Sequence, residues 1–225
     1  MDIRRLGHTT DLLGESPCWD ARAQALCWVD SLAGTLRRAW PATGREEAHA
    51  LPPPVGSIAP CASGAVVAAL RNSFVRYDFT TGAVEPLARI PVDHPNVRLN
   101  DAKCDPWGNF LAGTMHIHRQ PGEPLLGGLY RLRPDRTVER LADDIAFTNG
   151  PCFSPDGTTL YVADTVVRTI WAYDYAPQGP LRHRRAFALT EALGSGPDGA
   201  TVDAEGCVWT GGLLVFSAIS DGTQS

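Results

Sequence analysis

Asn100-Asp101-Ala102-Lys103-Cys104-Asp105-Pro106-Trp107-Gly108 runs into Phe110-Leu111-Ala112-Gly113-Thr114, a polar-tipped strand, a tight turn and a second apolar strand. The same arrangement recurs along the chain. Cys18-Trp19-Asp20, Cys61-Ala62-Ser63-Gly64, Phe153-Ser154-Pro155-Asp156-Gly157 and Val202-Asp203-Ala204-Glu205-Gly206 fill the first slot. Leu26–Asp30, Val66–Leu70, Leu160–Asp164 and Cys207–Gly211 fill the second. A third strand ends in Val75-Arg76-Tyr77-Asp78, Leu129-Tyr130-Arg131-Leu132 or Trp171-Ala172-Tyr173-Asp174, and a fourth follows, as in Val138-Glu139-Arg140-Leu141. Short runs rich in Val, Trp, Tyr and Leu, punctuated by Pro-Asp-Gly, Asp-Gly and Thr-Gly, are strand and turn signals. Four antiparallel strands in a unit of roughly 45 residues predict propeller blades and not solenoid coils. The fold expected is all-β, a single β-propeller domain over residues 1–225, with five units visible.

The composition agrees with an ordinary globular chain. Of 225 residues, 44% are apolar and 20% charged, and the net charge of -5 is spread without blocks. This gives no electrostatic reason to expect nucleic acid or an anionic membrane as partner, and no specific protein partner is indicated. The first ten residues lack the apolar core of a secretion signal, and no stretch is long enough to span a bilayer. The six cysteines have no Cys-x-x-Cys spacing and fall mostly in apolar runs, so they read as reduced core thiols of a cytoplasmic protein.

In a propeller the innermost strands line a central channel. Residues just before each first strand therefore converge: Glu15, Ser57, Asn100-Asp101, Asn149-Gly150 and Asp198-Gly199. Taken singly, Asn149-Gly150 and Asp198-Gly199 are tight-turn dipeptides, Glu15 a solvated carboxylate and Arg98 a surface ion-pair partner. Recurrence of oxygen donors at one blade position instead points to a divalent metal at the mouth.

These segments resemble the regucalcin (senescence marker protein), gluconolactonase and luciferin-regenerating-enzyme-like family of six-bladed propellers. The resemblance rests on Leu13-Gly14-Glu15-Ser16-Pro17-Cys18-Trp19, Arg98-Leu99-Asn100-Asp101, Ala112-Gly113-Thr114-Met115, Asn149-Gly150-Pro151 and Pro197-Asp198-Gly199. It implies Glu15, Asn149 and Asp198 as metal ligands, and Arg98 and Asn100 as substrate contacts. His118, in a loop where the family often has a carboxylate, is a further candidate substrate contact.

Two carboxylates and an amide leave coordination positions for water or substrate. Oxygen ligands suit calcium, magnesium or manganese, and zinc also binds such sites. The implied activity is hydrolysis of a sugar lactone to its aldonic acid, with Asp198 as general base. Two other readings stand beside it. One is a non-catalytic propeller whose ion is a structural plug; the other is an aryl-ester or phosphotriester hydrolase using His116 and His118.

A six-bladed ring needs one more unit than the sequence displays. The fifth is expected to stop soon after its second strand at Gly211-Gly212, with residues 213–222 either a degraded third strand or the product of a shifted reading frame or truncated gene. A closing strand is expected within residues 2–12, and the ring is expected to remain open, with weaker metal binding and little activity.

Overall fold

In the computed structural model, residues 5–124, 126–212, 216–220 and 223–224 are described. They form five four-stranded antiparallel sheets, each wound in sequence order. The first contains β1 (Gly14–Asp20), β2 (Ala25–Asp30), β3 (Thr35–Trp40) and β4 (Arg45–Ala50). The second contains β5 (Ser57–Pro60), β6 (Val66–Ala69), β7 (Ser73–Tyr77) and β8 (Val84–Arg89). The third contains β9 (Val97–Cys104), β10 (Phe110–His116), β11 (Leu129–Leu132) and β12 (Val138–Ala142). The fourth contains β13 (Thr148–Phe153), β14 (Thr159–Asp164), β15 (Thr169–Asp174) and β16 (Arg182–Leu189). The fifth contains β17 (Pro197–Val202), β18 (Val208–Gly212), β19 (Phe216–Ser220) and β20 (Thr223–Gln224). Among the described residues the only helical element is a 3-10 turn at Glu191–Leu193.

The recurring aspartate of the first turn folds the hairpin locally. Asp20 Oδ1 accepts from the Arg22 and Ala23 amides at 3.0 and 3.1 Å. Asp105 Oδ1 does the same for Trp107 and Asn109, and Asp203 Oδ1 for Glu205 and Cys207. In the fourth unit Ser154 Oγ takes this part, accepting from the Thr159 amide at 2.9 Å. Short polar side chains that accept two residues onward replace backbone partners in turns.

Alternation along each strand then buries both faces. On β6, Val66 and Ala68 pack with Val29 and Leu36 of the first sheet, while Val67 and Ala69 pack with Leu99, Phe110 and Tyr130 of the third. Leu111 and Leu129 pack in turn against Leu160, Val162 and Tyr173 of the fourth. Each buried large aliphatic or aromatic side chain contributes about 1.5–3 kcal/mol. A polar staple reinforces the third junction: the fully buried Arg131 donates to the Ala176 and Gly179 carbonyls at 2.9 and 2.7 Å and pairs with Glu139.

The inner strands β1, β5, β9, β13 and β17 pack side by side in that order, as propeller blades do. Ser57 Oγ bonds Ser16 Oγ on one side at 2.7 Å and the Ala102 carbonyl on the other at 3.3 Å, joining three of them. Among the described residues, β17 and β1 show no comparable packing.

Two expectations change. The fifth sheet does not stop at Gly212, because β19 pairs with β18 and β20 with β19. Residues 213–215 and 221–222 of the tail lie outside the described residues. Residues 5–12 form no strand; they are anchored by Asp11, which accepts from Trp28 Nε1 at 2.8 Å and Arg37 Nε at 2.6 Å. Residues 2–4 lie outside the described residues.

Gly113 marks a close approach between the third and fourth sheets. A Cβ there would stand 2.0 Å from Thr148 Cγ2 and 2.1 Å from its Cβ. Gly113→Ala is predicted to lower unfolding stability by about 1–3 kcal/mol through overpacking, read as a shifted midpoint in urea. An unchanged midpoint would contradict this close packing.

Candidate functional site

The residues expected before each first strand lie inside it, at an irregularity the strands share. On β1, Glu15 faces Val29 and Cys18 faces Cys27, so three steps on the inner strand oppose two on its neighbour. The same excess occurs on β9 between Leu99 and Ala102, on β13 between Asn149 and Cys152, and on β17 between Pro197 and Ala200. These are β-bulges, which twist a strand locally and re-aim its side chains. Asn149-Gly150 and Asp198-Gly199 are thus bulges within strands and not tight turns. β5 pairs without interruption, and its Ser57 is consumed by the hydrogen bonds given above.

Glycine is required at the β13 bulge. Gly150 has φ +48°, and a Cβ on it would lie 2.3 Å from the Ala200 nitrogen of β17. On the other side its amide donates to Asp101 Oδ2 of β9 at 2.9 Å.

The amides are oriented by one chain of hydrogen bonds. Thr165 Oγ1 donates to the Pro197 carbonyl at 2.7 Å and accepts from Asn149 Nδ2 at 2.8 Å. The Asn149 amide group is thereby fixed, with Oδ1 on its other side. Asn100 Nδ2 donates both its hydrogens, to Asn149 Oδ1 at 2.8 Å and to the Thr148 carbonyl at 3.0 Å. Asn100 therefore presents Oδ1, an acceptor, as its free group. Asn149 is only 4% exposed.

The carboxylates gather around this chain. Glu15 is raised from the ordinary 4.5 to about 7, first by burial, then by the negative charges of Asp101 and Asp198, with Arg98 opposing. Asp101 is also raised, by burial and then by Asp198, against the Gly150 amide, Lys103 and Arg98. Burial lowers Arg98, while Glu15 and Asp101 hold its proton on. Glu15, Asp101, Asp198 and Arg98 thus share one electrostatic neighbourhood: three acids and one cation. Asp198 is the exposed member.

Asp101, expected at the mouth beside Asn100 but given no ligand or substrate role, belongs to this group. His118 is exposed, and its hydrogen bond runs from Gln120 Nε2 to its backbone carbonyl. No described contact joins it to the acids. His116 is buried at the end of β10 beside His94 and 3.8 Å from Glu123, and has no described contact with them either.

Among the described residues, no three His, Cys, Asp or Glu side chains stand close enough to hold a metal ion by themselves. An ion at this site would therefore need further oxygen donors, and the Asn149 and Asn100 amide oxygens stand beside the acids. The donor set suits a hard divalent cation in kind: all donors are oxygens, and Glu15 and Asp101 are raised by burial and by neighbouring negative charge, which Arg98 opposes at both and the Gly150 amide and Lys103 oppose at Asp101. A separate cavity of about 260 Å³ lies towards the other ends of β9, β13 and β17, lined in part by Lys103, Cys104, Cys152 and Thr201.

Among the described residues no helix is long and apolar enough to cross a membrane. Comparison with known proteins places the geometry in context. The SMP-30/Gluconolactonase/LRE-like region matches residues 13–217. Regucalcin of Xenopus laevis is 36% identical over 200 residues, covering 88% of this chain and 67% of that protein. The 6-deoxy-6-sulfogluconolactonase of Pseudomonas putida is 35% identical, with 88% of this chain and 68% of that protein covered. The solved structure of a calcium-binding protein, regucalcin, from Agrobacterium tumefaciens superposes with a TM-score of 0.86 at 29% identity, over 96% of this chain and 74% of that one. The chain therefore belongs to the SMP-30/gluconolactonase/LRE-like family of propellers.

Proposed function

We propose that the chain hydrolyses a sugar lactone to the aldonic acid with the help of one divalent metal ion. Glu15, Asn149 and Asp198 are the protein ligands in this reading. The observation that carries it is the gathering of Glu15, Asp101 and Asp198 beside Arg98, with Glu15 raised to about 7. Like charges brought together and partly dried cost free energy, and a divalent cation offsets that cost. The lactonases among the relatives favour a sugar lactone as substrate, and the calcium-binding relative favours calcium.

When bound, the ion supplies Lewis-acid polarisation of the lactone carbonyl. The remaining work falls to the chain. Asp198, the exposed acid, takes a proton from water as the water oxygen bonds to the carbonyl carbon. The ring C–O bond then breaks, and the proton passes to the departing ring oxygen, leaving a hydroxy acid. Arg98 donates to hydroxyls of the sugar, and Asn100 Oδ1 accepts from one, so the ester is oriented from both sides. Asn100 is itself held by Asn149 and the Thr148 carbonyl, which makes it a positioned contact.

Asp198→Asn is predicted to retain the fold by circular dichroism and to lower lactone turnover by about 10²–10⁴-fold, measured by acid release from gluconolactone. Full turnover would remove Asp198 as the base.

Glu15 gives a pH prediction with a definite sign. Its folded value lies above its ordinary one, so between 4.5 and about 7 the native chain binds more protons than the unfolded chain. The stabilisation from this group is complete below 4.5 and is lost as pH rises through about 7. Chelator-treated protein should therefore lose stability over that window, and Glu15→Gln should flatten the loss. Added calcium should restore stability at pH 7 and above. Identical pH profiles for the two chains without metal would contradict the assignment.

A further inference from the structure

Away from the bulges, one row of side chains crosses the first sheet: Cys18 on β1 faces Cys27 on β2, and Cys27 faces Arg38 on β3. Directly opposed residues of an antiparallel pair share a face, with Cα atoms about 4.5–5.5 Å apart, inside the range of about 4.4–6.8 Å that a disulfide spans between Cα atoms. Cys27 is fully buried in the core between the first and second sheets, and Cys18 packs against that cluster while remaining partly exposed. Both are free thiols.

Arg38 completes the row in an unusual state. Its guanidinium lies 4.0 Å from the centre of Phe79 and 4.7 Å from that of Trp40, and its buried Nε has no hydrogen-bond partner. Among the described residues no carboxylate forms an ion pair with it, since the opposed Glu47 is bound by Arg45 and His49. A half-buried cation without a carboxylate, set next to a buried thiol, favours an anionic sulfur there. The Cys18 hydrogen bond to Cys27 and the Arg38 charge both hold the Cys27 thiol below its ordinary value, against the effect of burial. Burial pushes Cys104 and Cys152 up to about 12 and also raises Cys61, so these thiols lack such activation.

We propose that Cys18 and Cys27 form a reversible dithiol–disulfide pair whose oxidant is hydrogen peroxide, with Arg38 stabilising the reacting sulfur. The Cys27 thiolate bonds to one peroxide oxygen, the O–O bond breaks, and the released hydroxide takes a proton to become water, leaving a sulfenic acid on Cys27. The Cys18 sulfur then bonds to the Cys27 sulfur. Its proton leaves with the sulfenic hydroxyl as a second water. Two thiols lose two electrons and two protons, and the peroxide is reduced to two waters. The new bond would clamp β1 to β2 immediately beyond the bulge that follows Glu15.

The test is a thiol count and peptide map of the whole chain after brief peroxide treatment, unfolded in denaturant with alkylating reagent. Titratable thiols should fall from six to four, with one linked peptide pair carrying Cys18 and Cys27, and dithiothreitol should restore all six. In Cys18→Ser, dimedone should trap a sulfenic acid on Cys27. Arg38→Gln, which retains both cysteines, should slow formation of the bond at least severalfold. Persistence of both thiols while other cysteines oxidise, or a linkage between a different pair, would overturn the proposal. An unchanged rate in Arg38→Gln would overturn the part given to Arg38.

Discussion

Four of the five inner strands carry one residue more than the strand they pair with, and the surplus falls at the same position in each blade. Regular pleating would send successive side chains to opposite faces of a blade, into the apolar layers between sheets. At a bulge that alternation breaks, and a polar side chain can leave the sheet plane without disturbing the layers on either side. The bulges therefore let a tightly packed propeller display acids and amides at one end of its channel. β5, which lacks a bulge, contributes only a buried serine tied to its neighbours.

Placing three acids in that space creates an electrostatic imbalance that the protein only partly corrects. Arg98 and the Gly150 amide oppose the charge, yet Glu15 and Asp101 remain raised. The amide chain Asn100–Asn149–Thr165–Pro197 provides the complementary element. It fixes neutral oxygens beside the carboxylates and links three inner strands through side chains. Oxygen donors with surplus negative charge are what a hard divalent cation requires, and this joins the fold to the proposed chemistry.

Much of the architecture was legible because its causes are local. Asp20, Asp105 and Asp203 accept amide hydrogens two or more residues onward, so the turn is written within a few positions and recurs with the repeat. The apolar runs Val66–Leu70 and Phe110–Thr114 likewise announce strands covered on both faces. What was not legible depends on pairing. Asn149-Gly150 satisfies the chemistry of a turn, and only its opposition to β14 and the approach of Ala200 make it a bulge. Asp101 was placed at the mouth with Asn100, but nothing in a dipeptide says which side chain joins the acids. His118 drew notice through its motif position, yet it is exposed and touches none of the acids. A third strand of the fifth sheet was expected within residues 213–222 only as a degraded one, and pairing with β18 gives it its extent, Phe216–Ser220.

The account stands on oxygen donors from separate blades acting together on one cation. Calorimetric titration of chelator-stripped protein with calcium measures this most directly, repeated with Asn149→Ala, a change that removes no charge. One ion per chain is expected for the unaltered protein, with marked weakening when the amide is removed. Absence of a bound ion, or an affinity indifferent to Asn149, would contradict it.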